Sequence, residues 1–323
     1  MTEKTGVIVH TNRLDGLLAR LTARFPDIEA HGCDDFESLP ALIRETRPDV
    51  LYSTRFDVSQ PYPRDAVLAA GGPTWVSVGG SGVDHLGVWD PAHVTVTNSA
   101  GVAAGMMAEY AFGAFLYFSL DLSGLAKDKS RHHWQSTRQM MPLAGRTILI
   151  VGLGQTGQAV AARAKSFGMT VIGTRTQVAP MENVDEVHPA SALRDLWGRA
   201  DFIVVATPLV ASTRGLVDAA AFAAMSPRAV LVDVSRGGVI DHTACLNALR
   251  TGGIRGAALD VFPVEPLPAD APVWDMPNVI VSPHCSSVFD GWDAASFDLF
   301  LANLARWRLG EPLRNVVDPA RGY

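Results

Sequence analysis

Three residues able to do polar chemistry stand just past apolar runs: Arg236 in VLVDVSRGG, Glu265 in GAALDVFPVEP and His284 in VIVSPHCSS. A guanidinium can clamp a carboxylate while one of its donors faces an adjacent carbonyl oxygen. A carboxylate beside an imidazole favours the imidazolium, and so makes His284 a proton donor with Glu265 fixing its orientation. Together the three suit a small anionic carbonyl compound. The expected step is hydride transfer to a 2-oxo carbon with a proton from His284. In the reverse direction, neutral His284 takes the hydroxyl proton of a 2-hydroxy acid. Cys285 adjoins His284, but neighbours in an extended chain point to opposite faces, which argues against a Cys–His dyad.

A hydride needs a carrier, and ILIVGLGQTG supplies a place for one. Its glycines, Gly152, Gly154 and Gly157, follow a five-residue apolar strand and open a helix carrying Ala159, Val160 and Ala164, the context this motif requires. Gly152 suits a tight turn, Gly154 the close approach of a pyrophosphate, and Gly157 close helix–sheet packing. The helix N-terminus, at Gln155 and Thr156, offers unpaired N–H groups to phosphate. The next strand ends MTVIGTRTQ, placing Arg175 between Thr174 and Thr176 where an NAD site commonly carries an acid. A guanidinium there favours NADP(H); if Arg175 is only a solvated charge, NAD(H) serves as well. Gly79, Gly80, Ser81 and Gly82 form a second turn, either an anion-binding nest for the substrate carboxylate or a plain tight turn. Asp260 either positions the nicotinamide end or caps its strand.

Stepping from strand to helix, the second part of the chain reads strand 147–151, helix 157–167, strand 169–173, helix 191–197, strand 201–206, helix 217–225, strand 229–234, helix 241–250, and strands 255–259 and 278–282. That is the rhythm of a doubly wound α/β sheet. The first part alternates the strands TGVIVH, DVLYST, TWVSVGG and HVTVTNS with helix-length segments, including one with Leu14, Leu17, Leu18 and Leu21 on helical spacing. A long helix from near Gly101, carrying Met106, Met107, Tyr110, Phe112, Phe115 and Leu116, is apolar on more than one face. KDKSRHHWQSTRQ then separates it from the second unit, and 291–309 reads as a last helix ending at Gly310 and Pro312.

The chain has 323 residues, 48% apolar and 19% charged, enough for about two compact domains. A formal charge of -6 without a basic block argues against nucleic-acid binding. The N-terminal residues lack the order of a secretory signal, and the apolar stretch 110–120 is too short to span a bilayer. Three separated cysteines fit a reducing cytoplasm. The nine histidines form no ligand cluster, so no metal is expected.

From about Trp75 to Asn315 the chain closely resembles the D-isomer-specific 2-hydroxyacid dehydrogenase family. Besides the glycine-rich turn, SVGGSGVDHL, TNSAGVAAGMMAEYAF, ADFIVVATPLVASTRGLV, LVDVSRGGVIDHTACLNAL and ALDVFPVEPLP before SPHCSS carry the resemblance. It implies a catalytic set of Arg236, Glu265 and His284, substrate contacts from Gly80 and Ser81, and cofactor contacts at Gly152, Gly154, Gln155, Thr156, Gly157, Thr174, Arg175, Thr176, Thr207, Pro208, Val234, Ser235 and Asp260. It further implies two doubly wound parallel-sheet domains, a Rossmann cofactor domain over 99–288 inserted into a flavodoxin-like substrate domain of 1–98 and 289–323, and a homodimer. Arg175 resembles the NADP-preferring glyoxylate and hydroxypyruvate reductases. Glu265 argues against formate dehydrogenase, which has glutamine there. Ala104 stands where relatives often carry threonine. Reduction of a larger 2-keto acid, oxidation of phosphite, or a nucleotide-sensing corepressor-like role are the alternatives. Trp134, Trp292 and Phe289 belong either to the pocket or to the core and dimer interface.

Overall fold

The computed structural model describes residues 4–57 and 60–322. The chain divides into two compact units, Met1–Val102 with Asp290–Tyr323, and Ala103–Phe289. In the first, β1 (Gly6–His10), β2 (Glu29–Cys33), β3 (Val50–Ser53), β4 (Trp75–Val78) and β5 (Thr95–Thr97) form a parallel sheet in the order β2-β1-β3-β4-β5. This is the flavodoxin-like order. β3 and β4 are buried throughout, as a sheet covered by helices on both faces demands. Helices α1 (Leu17–Arg24), α2 (Leu39–Thr46) and α3 (Arg64–Val67) connect the strands.

Sequence pattern missed β2, whose residues EAHGC carry one buried side chain at an edge of the sheet, and also α2. The C-terminal helix α10 (Trp292–Arg308) completes this unit. Its buried Ser296 donates to the Gly79 carbonyl at 2.8 Å and lies 3.0 Å from the Tyr52 hydroxyl. Phe297 and Phe300 pack on the Tyr52 ring at 5.1 Å, and Val317 N–H bonds the Val96 carbonyl. Each such buried ring contributes about 1.5–3 kcal/mol by burial, so the N-terminal strands depend on a helix more than two hundred residues away.

The second unit is a seven-stranded parallel sheet: β6 (Thr147–Val151), β7 (Thr170–Thr174), β8 (Glu186–His188), β9 (Phe202–Val205), β10 (Val230–Asp233), β11 (Gly256–Leu259) and β12 (Val279–Val281). Their order, β12-β11-β10-β9-β6-β7-β8, is the doubly wound dinucleotide-binding order with one more strand. The order reverses between β6 and β9, which puts the glycine-rich turn at the switch point. Helices α4 (Ala104–Ser119), α5 (Leu122–Ser130), α6 (Gln155–Ser166), α7 (Leu193–Leu196), α8 (Ala219–Ala224) and α9 (His242–Thr251) cover or flank the sheet.

On α4, Phe112, Phe115 and Phe118 are buried and the Phe115 ring meets Phe202 of β9 at 4.8 Å, while Glu109 and Gly113 stay exposed. The stretch expected to separate helix from sheet in fact begins as α5. Asp121 accepts from Gly124 N–H at its start, and Arg138 pairs with both Asp121 and Asp128. Those long-range pairs, not helical periodicity, hold the segment. β8 also went unread, being three half-buried residues on the sheet edge beside β7. Among the described residues no helix is long and apolar enough to cross a membrane, and no group of three or more His, Cys, Asp or Glu is placed to hold a metal.

Candidate active site

The carboxyl ends of the second sheet gather the polar residues. Gly152 leaves β6 at φ +103°, and a Cβ on Gly157 would lie 2.1 Å from the Gly152 carbonyl oxygen. Only glycines close this turn onto the helix that follows. Gly154, by contrast, caps α6 in extended conformation, and a Cβ there would meet nothing within 4 Å. That open space lies at a helix N-terminus whose first turn carries no acidic side chain. It fits a phosphate bound by the free N–H groups of Gln155, Thr156 and Gly157.

Thr174, buried at the end of β7, accepts from Gly152 N–H at 3.3 Å and so steadies the turn. Arg175 N–H bonds the His188 carbonyl of β8, leaving the guanidinium on the exposed side, 3.4 Å from Met181 Sδ. Thr176 is exposed, Thr207 and Pro208 are half-buried after β9, and the Pro208 carbonyl accepts from Thr213 Oγ at 2.6 Å. Val234 is buried. The residues present therefore fit a dinucleotide, with the Arg175 cation exposed at the end of β7.

Glu265 and His284 meet: His284 Nδ1 lies 2.8 Å from Glu265 Oε2. Glu265 Oε1 accepts from Phe262 N–H at 2.8 Å. With both oxygens engaged, the carboxylate cannot swing away, and it selects the Nδ1–H form of the imidazole, leaving Nε2 for a reacting group. Both side chains are partly exposed, 40% for His284 and 33% for Glu265. Arg236 follows β10 and its Nη1 donates to the Ser235 carbonyl at 2.7 Å. Next to it, a Cβ on Gly237 would fall 1.9 Å from the Phe262 carbonyl oxygen. The Arg236 loop and the turn that anchors Glu265 are thus packed backbone to backbone, which no larger residue permits.

The expectation of extended chain at 284–285 is corrected by the structure. His284 has φ +53°, a left-handed conformation that costs energy and persists where surroundings impose it. Asp260 does so. Its carbonyl accepts from His284 N–H at 2.8 Å, Oδ1 from Cys285 N–H at 2.9 Å, and Oδ2 from Ser286 N–H at 3.0 Å. Burial, aided by Asp260, pushes the Cys285 thiol up, so the cysteine stays protonated at neutral pH rather than acting as a thiolate. Asp260 is itself 1% exposed, and the strap it forms across 282–286 is its visible role.

Sequence reasoning passed over Asp233. It is buried at the end of β10, and its Oδ1 accepts from Ser235 N–H at 3.0 Å and Ser235 Oγ at 2.5 Å. Burial, reinforced by Asp260, pushes its carboxyl up to about 7 from an ordinary 3.8. A carboxyl raised in the folded state stabilises it fully below pH 3.8 and loses that contribution as pH rises toward 7. Asp233→Asn, which keeps the oxygen that accepts from Ser235, is therefore expected to melt above wild type at pH 8.5. The gap should narrow toward pH 5 in a calorimetric pH series; a gap independent of pH would contradict a titrating Asp233.

In the first unit, the Gly80 and Ser81 turn follows β4. The Gly80 carbonyl accepts from Ser99 N–H at 2.9 Å and the Ser81 carbonyl from Asn98 Nδ2 at 2.8 Å. A Cβ on Gly80 would meet nothing within 4 Å. Of the aromatic residues left open by the sequence, Trp134 is 90% exposed and so not core, whereas Phe289 and Trp292 are half-buried.

Comparison with known proteins agrees with this geometry. Residues 112–286 match the family model described as D-isomer specific 2-hydroxyacid dehydrogenase, NAD binding domain. The D-3-phosphoglycerate dehydrogenase of Methanocaldococcus jannaschii is 32% identical over 260 residues, 79% of this chain and 49% of that one, so the chain spans about half of its length. A D-isomer specific 2-hydroxyacid dehydrogenase family protein of Aeromonas salmonicida superposes with a TM-score of 0.84 at 31% identity, covering 98% of this chain and 100% of that one. The NADPH-dependent glyoxylate/hydroxypyruvate reductase of Sinorhizobium meliloti, solved with NADP and sulfate, gives 0.83 at 29%, covering 99% and 100%. With the strand order, the glycine-rich turn at the switch point and these likenesses in agreement, the chain belongs to the D-isomer specific 2-hydroxyacid dehydrogenase family.

Proposed function

We propose that this protein reduces a small 2-oxo acid, glyoxylate or hydroxypyruvate foremost, to the D-2-hydroxy acid with NADPH preferred over NADH. The 2.8 Å contact between His284 and Glu265 carries the reading, because it leaves Nε2 of a fixed imidazole free to deliver a proton. When bound, the reduced nicotinamide supplies the hydride. Protonated His284 gives its proton to the substrate's carbonyl oxygen, and Arg236 holds the carboxylate and polarises that oxygen. Backbone N–H groups of Gly80 and Ser81 are assigned the same carboxylate. Gly152, Gly154, Gln155, Thr156 and Gly157 are assigned the pyrophosphate, Thr174, Arg175 and Thr176 the adenosine ribose end, and Thr207, Pro208, Val234, Ser235 and Asp260 the remaining cofactor contacts.

NADPH preference rests on Arg175, exposed at the end of β7, and on the likeness to the NADPH-dependent Sinorhizobium enzyme, which is a glyoxylate/hydroxypyruvate reductase. We read the protein as a homodimer, in which a second copy would cover exposed apolar side chains such as Trp134 (90% exposed), Met140 (48%), Leu122 (41%) and Leu125 (39%); light scattering should give twice 34.5 kDa.

The test is a set of initial rates with NADPH and NADH against glyoxylate, hydroxypyruvate, pyruvate, phenylpyruvate and 2-oxoisocaproate. Activity with NADPH on the two small acids is expected, and silence on all five would reject the reading. Arg175→Ala should raise the KM for NADPH about 10- to 100-fold, the worth of charged hydrogen bonds, while moving that for NADH less than about twofold on the same scale. Equal effects on both cofactors would remove Arg175 from the phosphate site.

A further inference from the structure

The His284 loop is tied to α4 by a chain of side chains that the proton-transfer reading does not use. Tyr110 Oη lies 2.7 Å from Ser282 Oγ, and Ser282 Oγ donates to Asp260 Oδ1 at 2.6 Å. Asp260 in turn holds the backbone N–H groups of Cys285 and Ser286 through its carboxylate and that of His284 through its carbonyl. The proton count fixes the direction of the chain. Ser282 has one hydroxyl proton and spends it on the carboxylate, so the phenol must be the donor to Ser282. Burial pushes the Tyr110 phenol up to about 12, so it keeps that proton at any pH at which the protein would work. Ser282 is 9% exposed and Asp260 1%, and bonds in such a setting reinforce one another.

We propose that Tyr110 is a positioning residue for the reaction: through Ser282 it fixes the rotamer of Asp260, which holds His284 in its left-handed conformation and aims the imidazole. Asp260 accepts three hydrogen bonds on its two oxygens, and only that from Ser282 comes from a side chain able to rotate away. Without the phenol, the Ser282 hydroxyl is released from one of its two partners. The bond from Ser282 to the carboxylate then loses the donor that reinforces it and fixes its hydroxyl, and the left-handed His284 is less tightly determined. The chain also makes a mechanical link, since α4 packs against β10 and β11, with Phe115 on Phe202 of β9 and Phe118 against Gly256 at the start of β11. The inference rests on the proposed role of His284 in proton transfer, but the placement of its ring is measurable without any substrate.

Tyr110→Phe removes one oxygen and keeps the ring. It is expected to lower kcat about three- to tenfold, the range for one lost hydrogen bond, with KM for the 2-oxo acid unchanged within about twofold on the same scale. Ser282→Ala should cost the same, the double variant no more than either single one, and Ser282→Thr, which keeps the hydroxyl, should restore wild-type kcat. In long-range ¹H–¹⁵N spectra, the His284 imidazole signals, assigned with His284→Gln, should shift or broaden in Tyr110→Phe. Wild-type kcat with unmoved His284 signals in Tyr110→Phe would overturn the inference, as would losses in Tyr110→Phe and Ser282→Ala that multiply. A wild-type enzyme inactive on every 2-oxo acid would defeat the functional reading instead, and the His284 signals would then decide the inference alone.

Discussion

Replacing His284 by glutamine is expected to lower kcat by about 10²- to 10⁴-fold, the usual worth of a positioned general acid–base group. Glutamine preserves approximate length and polarity, and its amide can still reach Glu265, but it has no proton to give. Cofactor affinity, measured by quenching of protein fluorescence on titration with NADPH, should stay within about twofold of wild type, below what the loss of one hydrogen bond would cost. The separation follows from the geometry. His284 is bonded to Glu265 and its own backbone to Asp260, whereas the glycine-rich turn is held by Thr174 on the far side of the switch point. Parallel loss of turnover and cofactor binding would mark His284 as a structural residue of the loop.

Arg236→Ala should lower kcat/KM for the 2-oxo acid by about 10²- to 10³-fold, comparable with the removal of one donor aimed at a developing oxyanion. Arg236→Lys should recover little, because an ammonium cannot offer the paired, planar donors that span a carboxylate and its neighbouring oxygen. The backbone supports this rigidity: Nη1 is folded against the Ser235 carbonyl, and the loop is pressed on Phe262 through Gly237. Steady-state kinetics on the purified variants give the answer. A lysine variant with near-normal kcat/KM would reduce Arg236 to a general positive charge near the site.

Much of this molecule could be read without coordinates. Apolar runs such as TILIV, FIVV and VLVD sit inside a parallel sheet and are buried on both faces, so their composition alone announces them. Gly152 and Gly157 are demanded by local backbone, one by a positive φ and both by mutual contact, and such demands leave a trace in sequence. By contrast, β2 and β8 are edge strands with half-polar faces, which no period of two betrays. The helix α5 was hidden because Arg138 supplies, from outside the helix, the carboxylate pairing that holds it.

The sequence alone determined the residue types at the strand ends: a guanidinium after β10, an aspartate after β11, and a histidine soon after β12. It could do so because strand order and strand termini follow from local apolar pattern. Only the tertiary structure decided what those residues do to one another. The 2.8 Å contact of Glu265 with His284, the strap from Asp260 that holds His284 in its left-handed turn, and the reach of Tyr110 to Ser282 all join residues from 19 to 172 positions apart. Distances of that kind are set when sheet and helices pack, and no short stretch of the chain encodes them by itself.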